Sequence, residues 1–302
     1  MSRDGSDFRR LVAGDIFRAD LSPDGTEVIY SREMEIVAMN IQTSITRVVA
    51  SGPVANPMWS ATGRYITFSM YGEERSAWLV RPDGSGLQRL YVGEGFFAIS
   101  DWLPDDSAAF AISDRLVTYG EGVQLPPWHI FRVTPDGAIS EPLAEYTPCY
   151  CGGRGTFPIV SPDGTLVAFS DHTGGVYVMN IDGTDLRNLR QDMGDGRLID
   201  WTPDSNGLVY GNPDQFFRFD LASSSVIPIS AFSRAVAPDG TVVRGLLTSC
   251  SQPRSLVIES PDGTTTDLVR DRIPGDWFLN GAQWLPDGSG IVFIVSRSDL
   301  CN

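Results

Sequence analysis

Three aspartates occupy one repeated position of the sequence and form the only acidic group that we can propose for chemistry. Asp20, Asp101 and Asp200 each stand three residues before the proline of a tight-turn motif. If the strands that carry them line a common channel, their oxygens could hold a hard cation such as Ca²⁺. The alternative is that these carboxylates hydrogen-bond to neighbouring strands.

A second group combines cysteines with a glycine-rich segment. Cys149 and Cys151 flank Tyr150 and are followed by Gly-Gly-Arg-Gly at 152–155. A metal or redox site is one interpretation, and an anion-binding nest backed by Arg154 is another. A ligand-contact loop with incidental cysteines is the third, and the scatter of the other cysteines, Cys250 and Cys301, favours it. We therefore predict no metal site.

Aromatic side chains concentrate in the long connections of the chain. Two of these connections lie at 113–128 and 146–157, and a third lies at 272–282. Aromatic residues and arginine are preferred anchors for protein partners, although they could instead fold the loops back onto the scaffold. The candidate binding residues are Tyr119, Trp128, His129, Tyr150, Arg154 and Trp277.

Signatures of catalysis are missing from the sequence. It contains no G-x-S-x-G nucleophile motif, no phosphate-binding loop and no G-x-G-x-x-G segment between a strand and a helix. Its two histidines, His129 and His172, are too few for a multi-histidine metal site. We predict no catalytic residue and no cofactor.

The elements that position these residues come from one repeated unit, clearest at 161–170, SPDGTLVAFS. Pro162 sets the first corner of a turn, Asp163 can bond back to the backbone, and Gly164 allows a positive φ. A short apolar strand follows. Degraded copies begin at Ser22, Ser60, Leu103, Ser161, Thr202, Ala237 and Leu285, about 44 residues apart on average. This period is typical of β-propeller blades.

We predict an all-β fold: a seven-bladed β-propeller with four-stranded antiparallel blades in one domain, 1–302. Its ring would be closed by an N-terminal strand that joins the last blade; the alternative is a chain cut from a longer array. Each blade has strands A to D, and the B–C and D–A connections share one end, here called the loop-rich face. Tryptophans two residues before a turn proline should pack between blades. The blades are placed at approximately 15–50, 54–93, 96–146, 158–190, 198–230, 235–271, and 281–302 plus 1–14.

Composition limits the partners. The formal net charge of −15 argues against binding to nucleic acid or to an anionic membrane surface. No apolar run is long enough for a membrane-spanning helix, and no secretory leader begins the chain. We expect a monomer in the cytoplasm by default, or in the periplasm or outside the cell if the chain is a fragment or a mature form.

The repeats resemble the WD40-like PD40 repeat of the TolB propeller and of tricorn and prolyl oligopeptidase-type peptidases. The residues responsible follow the pattern W-S-P-D-G-x-x-(I/V)-x-(F/Y), with a later N-x-D-G-x-x-L that is best seen at 180–189. The resemblance implies a propeller but transfers no catalytic residue, because neither an N-terminal α/β domain nor a hydrolase domain accompanies it.

These observations favour a non-catalytic, TolB-like binding scaffold that engages a protein or peptide through the loop-rich face. One alternative is a glycan- or peptide-acting lyase or hydrolase working at the channel through Asp20, Asp101 and Asp200. Another is the regulatory propeller of a larger peptidase or sensor.

Overall fold

The regular structure of the chain consists of β-strands. The computed structural model describes residues 1–2, 4, 6–14, 16, 18–93, 96–114, 128–147, 157–171, 174–189, 197–211, 216–229, 235–237, 241–245, 256–260, 264–268 and 277–297. No α-helix occurs in these ranges, and hence no membrane-spanning helix is found within them.

Six antiparallel sheets contain four strands each, in chain order from A to D. The first has β1 (Ala19–Leu21), β2 (Glu27–Arg32), β3 (Glu35–Asn40) and β4 (Thr46–Ser51). The second has β5 (Val54–Trp59), β6 (Ile66–Met70), β7 (Arg75–Val80) and β8 (Gln88–Gly93). The third has β9 (Phe97–Trp102), β10 (Ala109–Ser113), β11 (Trp128–Val133) and β12 (Ala144–Tyr146).

The remaining sheets follow in the same order. The fourth has β13 (Ile159–Val160), β14 (Leu166–Ser170), β15 (Val176–Asn180) and β16 (Arg187–Asn188). The fifth has β17 (Arg197–Trp201), β18 (Gly207–Gly211), β19 (Phe216–Asp220) and β20 (Val226–Ile229). The sixth has β21 (Ala235–Val236), β22 (Val242–Gly245), β23 (Leu256–Glu259) and β24 (Thr265–Asp267). The seventh has two strands, β25 (Trp277–Trp284) and β26 (Ile291–Arg297). The prediction of an all-β chain built from four-stranded antiparallel sheets is confirmed.

The A–B turns have the chemistry that their residues dictate. In the fourth sheet the Gly164 amide donates to the Ser161 carbonyl at 2.8 Å, and Gly164 has φ 73°. Asp163 Oδ1 accepts hydrogen bonds from the Ser161 hydroxyl at 2.6 Å and from the Thr165 amide at 3.1 Å. The hydrogen bond from Ser161 lowers the pKa of Asp163, because the charged carboxylate is the better acceptor.

In several turns, the residue that follows the turn aspartate also contacts the turn of the preceding sheet. A Cβ added to Gly164 would lie 2.8 Å from Cδ of Pro104 in the third-sheet turn, so glycine fits this approach. The third sheet has Asp106 at this position, with φ 59° and a buried side chain. Asp106 accepts hydrogen bonds from the Ser60 hydroxyl at 2.7 Å and the Thr62 amide at 3.0 Å, both in the second-sheet turn. Asp106 thus supplies the carboxylate that this turn lacks.

Apolar clusters join successive sheets. Trp59 packs with Ile29 of the first sheet, Trp102 with Leu79 of the second, and Trp201 with Ile159 of the fourth. Trp284 lies in a cluster with Val243 of the sixth sheet. The repeat-position tryptophans therefore pack between sheets, as their positions predict.

The last sheet lies against the first. Gln283 of β25 accepts a hydrogen bond from the Leu21 amide at 3.2 Å and donates to Asp20 Oδ1 at 3.0 Å. Among its described residues, the N-terminal segment pairs with the seventh sheet only through a bridge from Ser2 to Gly290 and through bonds between Met1 and Ile291. Its described residues contain no strand, unlike the predicted D strand. Side chains attach this segment instead: Phe8 packs on Phe293, with their ring centroids 5.9 Å apart.

Candidate functional site

The three repeat-position aspartates lie on A strands, and each accepts a hydrogen bond from a backbone amide. Asp20 Oδ2 accepts the Trp59 amide of the second sheet at 2.8 Å. Asp101 Oδ2 accepts the Val160 amide of the fourth sheet at 2.9 Å, and its Oδ1 accepts the Trp102 amide at 2.9 Å. Asp200 Oδ1 accepts the Trp201 amide at 2.9 Å. For Asp20 and Asp101, the carboxylate connects one sheet to the next.

Bulges in the A strands help to aim these side chains. The register of β9 against β10 shifts next to Asp101, and that of β17 against β18 shifts between Leu198 and Asp200. An extra residue at a bulge bends a strand and turns the following side chain to a new direction. Among the described residues, no group of three or more His, Cys, Asp or Glu side chains could hold a metal ion.

Buried aromatic pairs lie at the bases of the two long connections of the third sheet. Trp128 opens β11 directly after the connection 115–127 and stacks on Phe96, with ring centroids 4.6 Å apart. Tyr146 closes β12 just before the connection 148–156 and packs on Phe169 at 5.2 Å. Trp128 and Tyr146 are paired across the two strands. One end of each connection is therefore fixed on a common aromatic base.

A row of three polar side chains crosses the third sheet beside these aromatics. Ser113, His129 and Glu145 are successive cross-strand partners on β10, β11 and β12. His129 Nε2 lies 3.4 Å from Glu145 Oε2, and Glu145 is 59% exposed while His129 is 6% exposed. A serine, a histidine and a carboxylate could in principle relay a proton.

Burial argues against catalysis by this row. Ser113 has no exposed surface, so a substrate cannot reach its hydroxyl. Burial also raises the pKa of Tyr91, whose hydroxyl is hydrogen-bonded to Ser113. We therefore interpret the row as a structural part of the third sheet, at its end nearest the loop-rich face. Ser113 and Glu145 were not predicted, because only the strand register, not local sequence, brings them to His129.

An exposed aromatic group lies on the second sheet at the same end. Tyr71, in the B–C connection, is 38% exposed, and its Oη accepts a hydrogen bond from Asn56 Nδ2 at 2.9 Å. The Arg75 guanidinium carbon lies 5.6 Å from the centre of the Tyr71 ring. Asn56 has φ 53° within a bulge of β5. Sequence reasoning missed this group, whose one local signal is an aromatic residue in a short loop.

The structure places only part of the predicted binding set. Trp128 and His129 are buried beneath the loop-rich face. Tyr119, Tyr150 and Arg154 lie outside the described residues, as do all four cysteines and His172. Trp277 belongs to β25, but its side chain is outside the described set.

Comparison with known proteins identifies the fold. No family model matches the chain. An uncharacterised protein of Agrobacterium fabrum is 25% identical over 289 residues, which cover 87% of this chain and 92% of that protein.

Solved structures give a broader likeness. Oligogalacturonate lyase from Vibrio parahaemolyticus has a TM-score of 0.66 at 14% identity, covering 97% of this chain and 92% of that one. The β-propeller domain of the trilobed protease from Pyrococcus furiosus has a TM-score of 0.59 at 15% identity, with coverages of 86% and 85%. A putative TolB from Agrobacterium tumefaciens has a TM-score of 0.53 at 18% identity, with coverages of 88% and 99%.

These likenesses establish a β-propeller fold of the TolB and peptidase-propeller type. The resemblance inferred from the PD40-like repeats is thereby confirmed. At such identities the likeness concerns the fold alone, since one propeller fold supports many activities.

Proposed function

We propose that the chain is a single seven-bladed propeller with a closed ring, which binds a protein or peptide through its loop-rich face without catalysis. The hydrogen bonds that join Gln283 to Leu21 and Asp20 support closure, since they connect the last sheet with the first. The two strands of the seventh sheet make up its inner half, and the N-terminal segment attaches to their outer edge.

The aromatic base of the third sheet is the observation on which the binding function depends. Trp128 on Phe96 and Tyr146 on Phe169 fix one end of each of two long connections. Long loops held by a rigid scaffold are a common way to build a binding surface. The enzymatic alternative relies on the channel aspartates, and the bonds that Asp20 and Asp101 make to backbone amides favour a structural role for them.

A capture experiment tests this proposal. All 23 basic residues are arginine, so a photoreactive cross-linker is needed in place of an amine-reactive one. The native chain is compared, in lysate of the source cell, with a variant whose residues 116–126 are replaced by a short Gly/Ser turn. A control variant carries a similar turn at 82–86, on the opposite face of the second sheet. Urea unfolding verifies that each variant is folded.

We expect a partner that the native chain and the control capture and that the 116–126 variant loses. Equal capture by all three chains would contradict the assignment to this face. Capture by none would contradict a protein partner and would direct attention to a small ligand in the channel.

A further inference from the structure

Arg75 is a cation without a carboxylate partner in the described part of the chain. Its guanidinium makes one contact there, with the Tyr71 ring. Other arginines are differently placed: Arg47 pairs with Glu27, Arg187 with Asp185 and Arg218 with Asp204. In a chain with 38 acidic residues, an exposed arginine that pairs with none of the described ones has its donors available for a ligand.

Tyr71 is held in one orientation beside this cation. Its oxygen already accepts the Asn56 amide hydrogen, so its own hydroxyl proton is directed elsewhere, and no described residue accepts it. Asn56 lies in a bulge of β5 with φ 53°, in the left-handed region that asparagine adopts more readily than most residues.

The donor set matches a carboxylate. A guanidinium offers two parallel N–H groups to the two oxygens of a carboxylate, and a phenol hydroxyl adds a third donor. A phosphate dianion suits this place less well, since exposed Glu73 and Glu74 lie in the same loop and the chain is strongly acidic.

We propose that Arg75 and Tyr71 bind a carboxylate of the peptide partner, either an acidic side chain or the C-terminus. This inference rests on the proposed binding function and assigns a chemistry to its second-sheet side. Arg75 is the cross-strand partner of Gly93, which precedes Phe96 by three residues, and Phe96 stacks on Trp128 of the third sheet. The subsite thus lies on the part of the second sheet that leads to the aromatic base of the third.

The test measures fluorescence anisotropy of labelled hexapeptides at low ionic strength. One probe contains three glutamates, a second has glutamines in their place, and each is made with a free and with an amidated C-terminus. Arg75→Gln removes the fork, and Tyr71→Phe removes only the hydroxyl. Arg64→Gln is the matched control, since it changes the same charge in the exposed A–B turn of the same sheet, at the opposite face.

We expect the native chain to prefer the glutamate probe, and Arg75→Gln to weaken that binding by about tenfold. Tyr71→Phe should weaken it by roughly twofold to tenfold, and Arg64→Gln should leave it unchanged. A glutamate preference that survives amidation identifies the acidic side chain as the bound group; if the two free-terminus probes bind alike and amidation weakens both, the C-terminus is the bound group.

Equal binding of all four probes, or an equal loss in Arg75→Gln and Arg64→Gln, would overturn the proposal. The two proposals fail separately. A partner that depends on residues 116–126 but not on Arg75 contradicts the carboxylate subsite alone. A glutamate preference without any captured partner contradicts the protein-binding function alone.

Discussion

Asp106 shows how one side chain can complete a neighbouring turn. The second-sheet turn has Thr62 where the first, fourth and seventh sheets have aspartate, and Asp106 of the third sheet supplies the missing acceptor. Its backbone adopts a φ of 59° that glycine would adopt without strain. The side chain is therefore retained for its hydrogen bonds and not for the shape of its own turn.

Exchanging the two positions tests this interpretation. Asp106→Gly should lower the free energy of unfolding by about 1–3 kcal/mol, because Ser60 and Thr62 lose a charged acceptor. Adding Thr62→Asp should recover much of the loss by restoring a local carboxylate. Thr62→Asp alone should destabilise, since it places two carboxylates together. Urea unfolding of the four chains gives the coupling energy, and additive effects would contradict the interpretation.

A substitution at Asp101 distinguishes a structural role of this carboxylate from a role in binding an ion. Asp101→Asn replaces one of the two carboxylate oxygens by an N–H₂ group, so one of the two backbone amides that donate to Asp101 loses its acceptor, and the change should cost about 1–3 kcal/mol of stability. Glu73→Gln makes the corresponding carboxylate-to-amide change at an exposed site and serves as the control, which should change the free energy of unfolding little. In equilibrium dialysis with Ca²⁺ and Mn²⁺, the native chain should bind no ion that the Asp101→Asn variant fails to bind. An ion bound by the native chain and lost in this variant would restore the ion-site interpretation.

At the scale of the element, the tryptophans between sheets are not equivalent. Trp201 Nε1 donates to the Ile159 carbonyl of the preceding sheet at 3.0 Å. Trp59 Nε1 and Trp102 Nε1 are buried and find no hydrogen-bond partner among the described residues. Trp201 thus adds a directed bond to its packing, whereas Trp102 contributes packing alone.

Paired substitutions measure this difference. Trp201→Ala should cost about 3–5 kcal/mol through the cavity it leaves. Trp201→Phe should cost about 1 kcal/mol more than Trp102→Phe, because only the former breaks a hydrogen bond. Thermal or urea unfolding checks the ranking, which a larger cost for Trp102→Phe would reverse.

How much of the elements the sequence predicts depends on the distance between partners. The A–B turns were predictable, because Pro162, Asp163 and Gly164 each act on backbone within a few residues. The hydrogen bonds that join Asp101 to Val160 and Asp106 to Thr62 were not predictable, since both depend on how whole sheets pack. The same reason hid the group of Asn56, Tyr71 and Arg75, which requires a bulge and a hairpin register together.

At the scale of the whole molecule, lowering the pH changes the stability of the fold in two ways, through the turn aspartates and through the net charge. Hydrogen bonds from Ser22, Ser161 and Thr202 lower the pKa values of Asp24, Asp163 and Asp204 respectively. A folded-state pKa below the unfolded one means that the native chain binds fewer protons. This stabilisation is complete above the unfolded pKa of about 4 and is lost as pH falls further.

The predicted pH profile therefore has two parts. Between pH 7 and about 5, protonation relieves the repulsion of a chain with net charge −15, so the urea midpoint should hold or rise. Below about pH 4 it should fall, as the turn aspartates gain protons. A midpoint that keeps rising toward pH 3 would contradict the role given to these turns.

Where the seventh sheet meets the first, the backbone amide of Leu21 donates to a neutral acceptor, the side-chain oxygen of Gln283. Trp59 and Val160 donate their amides to carboxylates at 2.8 and 2.9 Å, whereas Leu21 donates to an uncharged oxygen at 3.2 Å. Charge-assisted bonds are roughly twice as strong as neutral ones. The Leu21 amide should exchange its hydrogen with solvent before the other two. In the closed ring that we propose, separation under heat or load would then be expected to start between the seventh and first sheets.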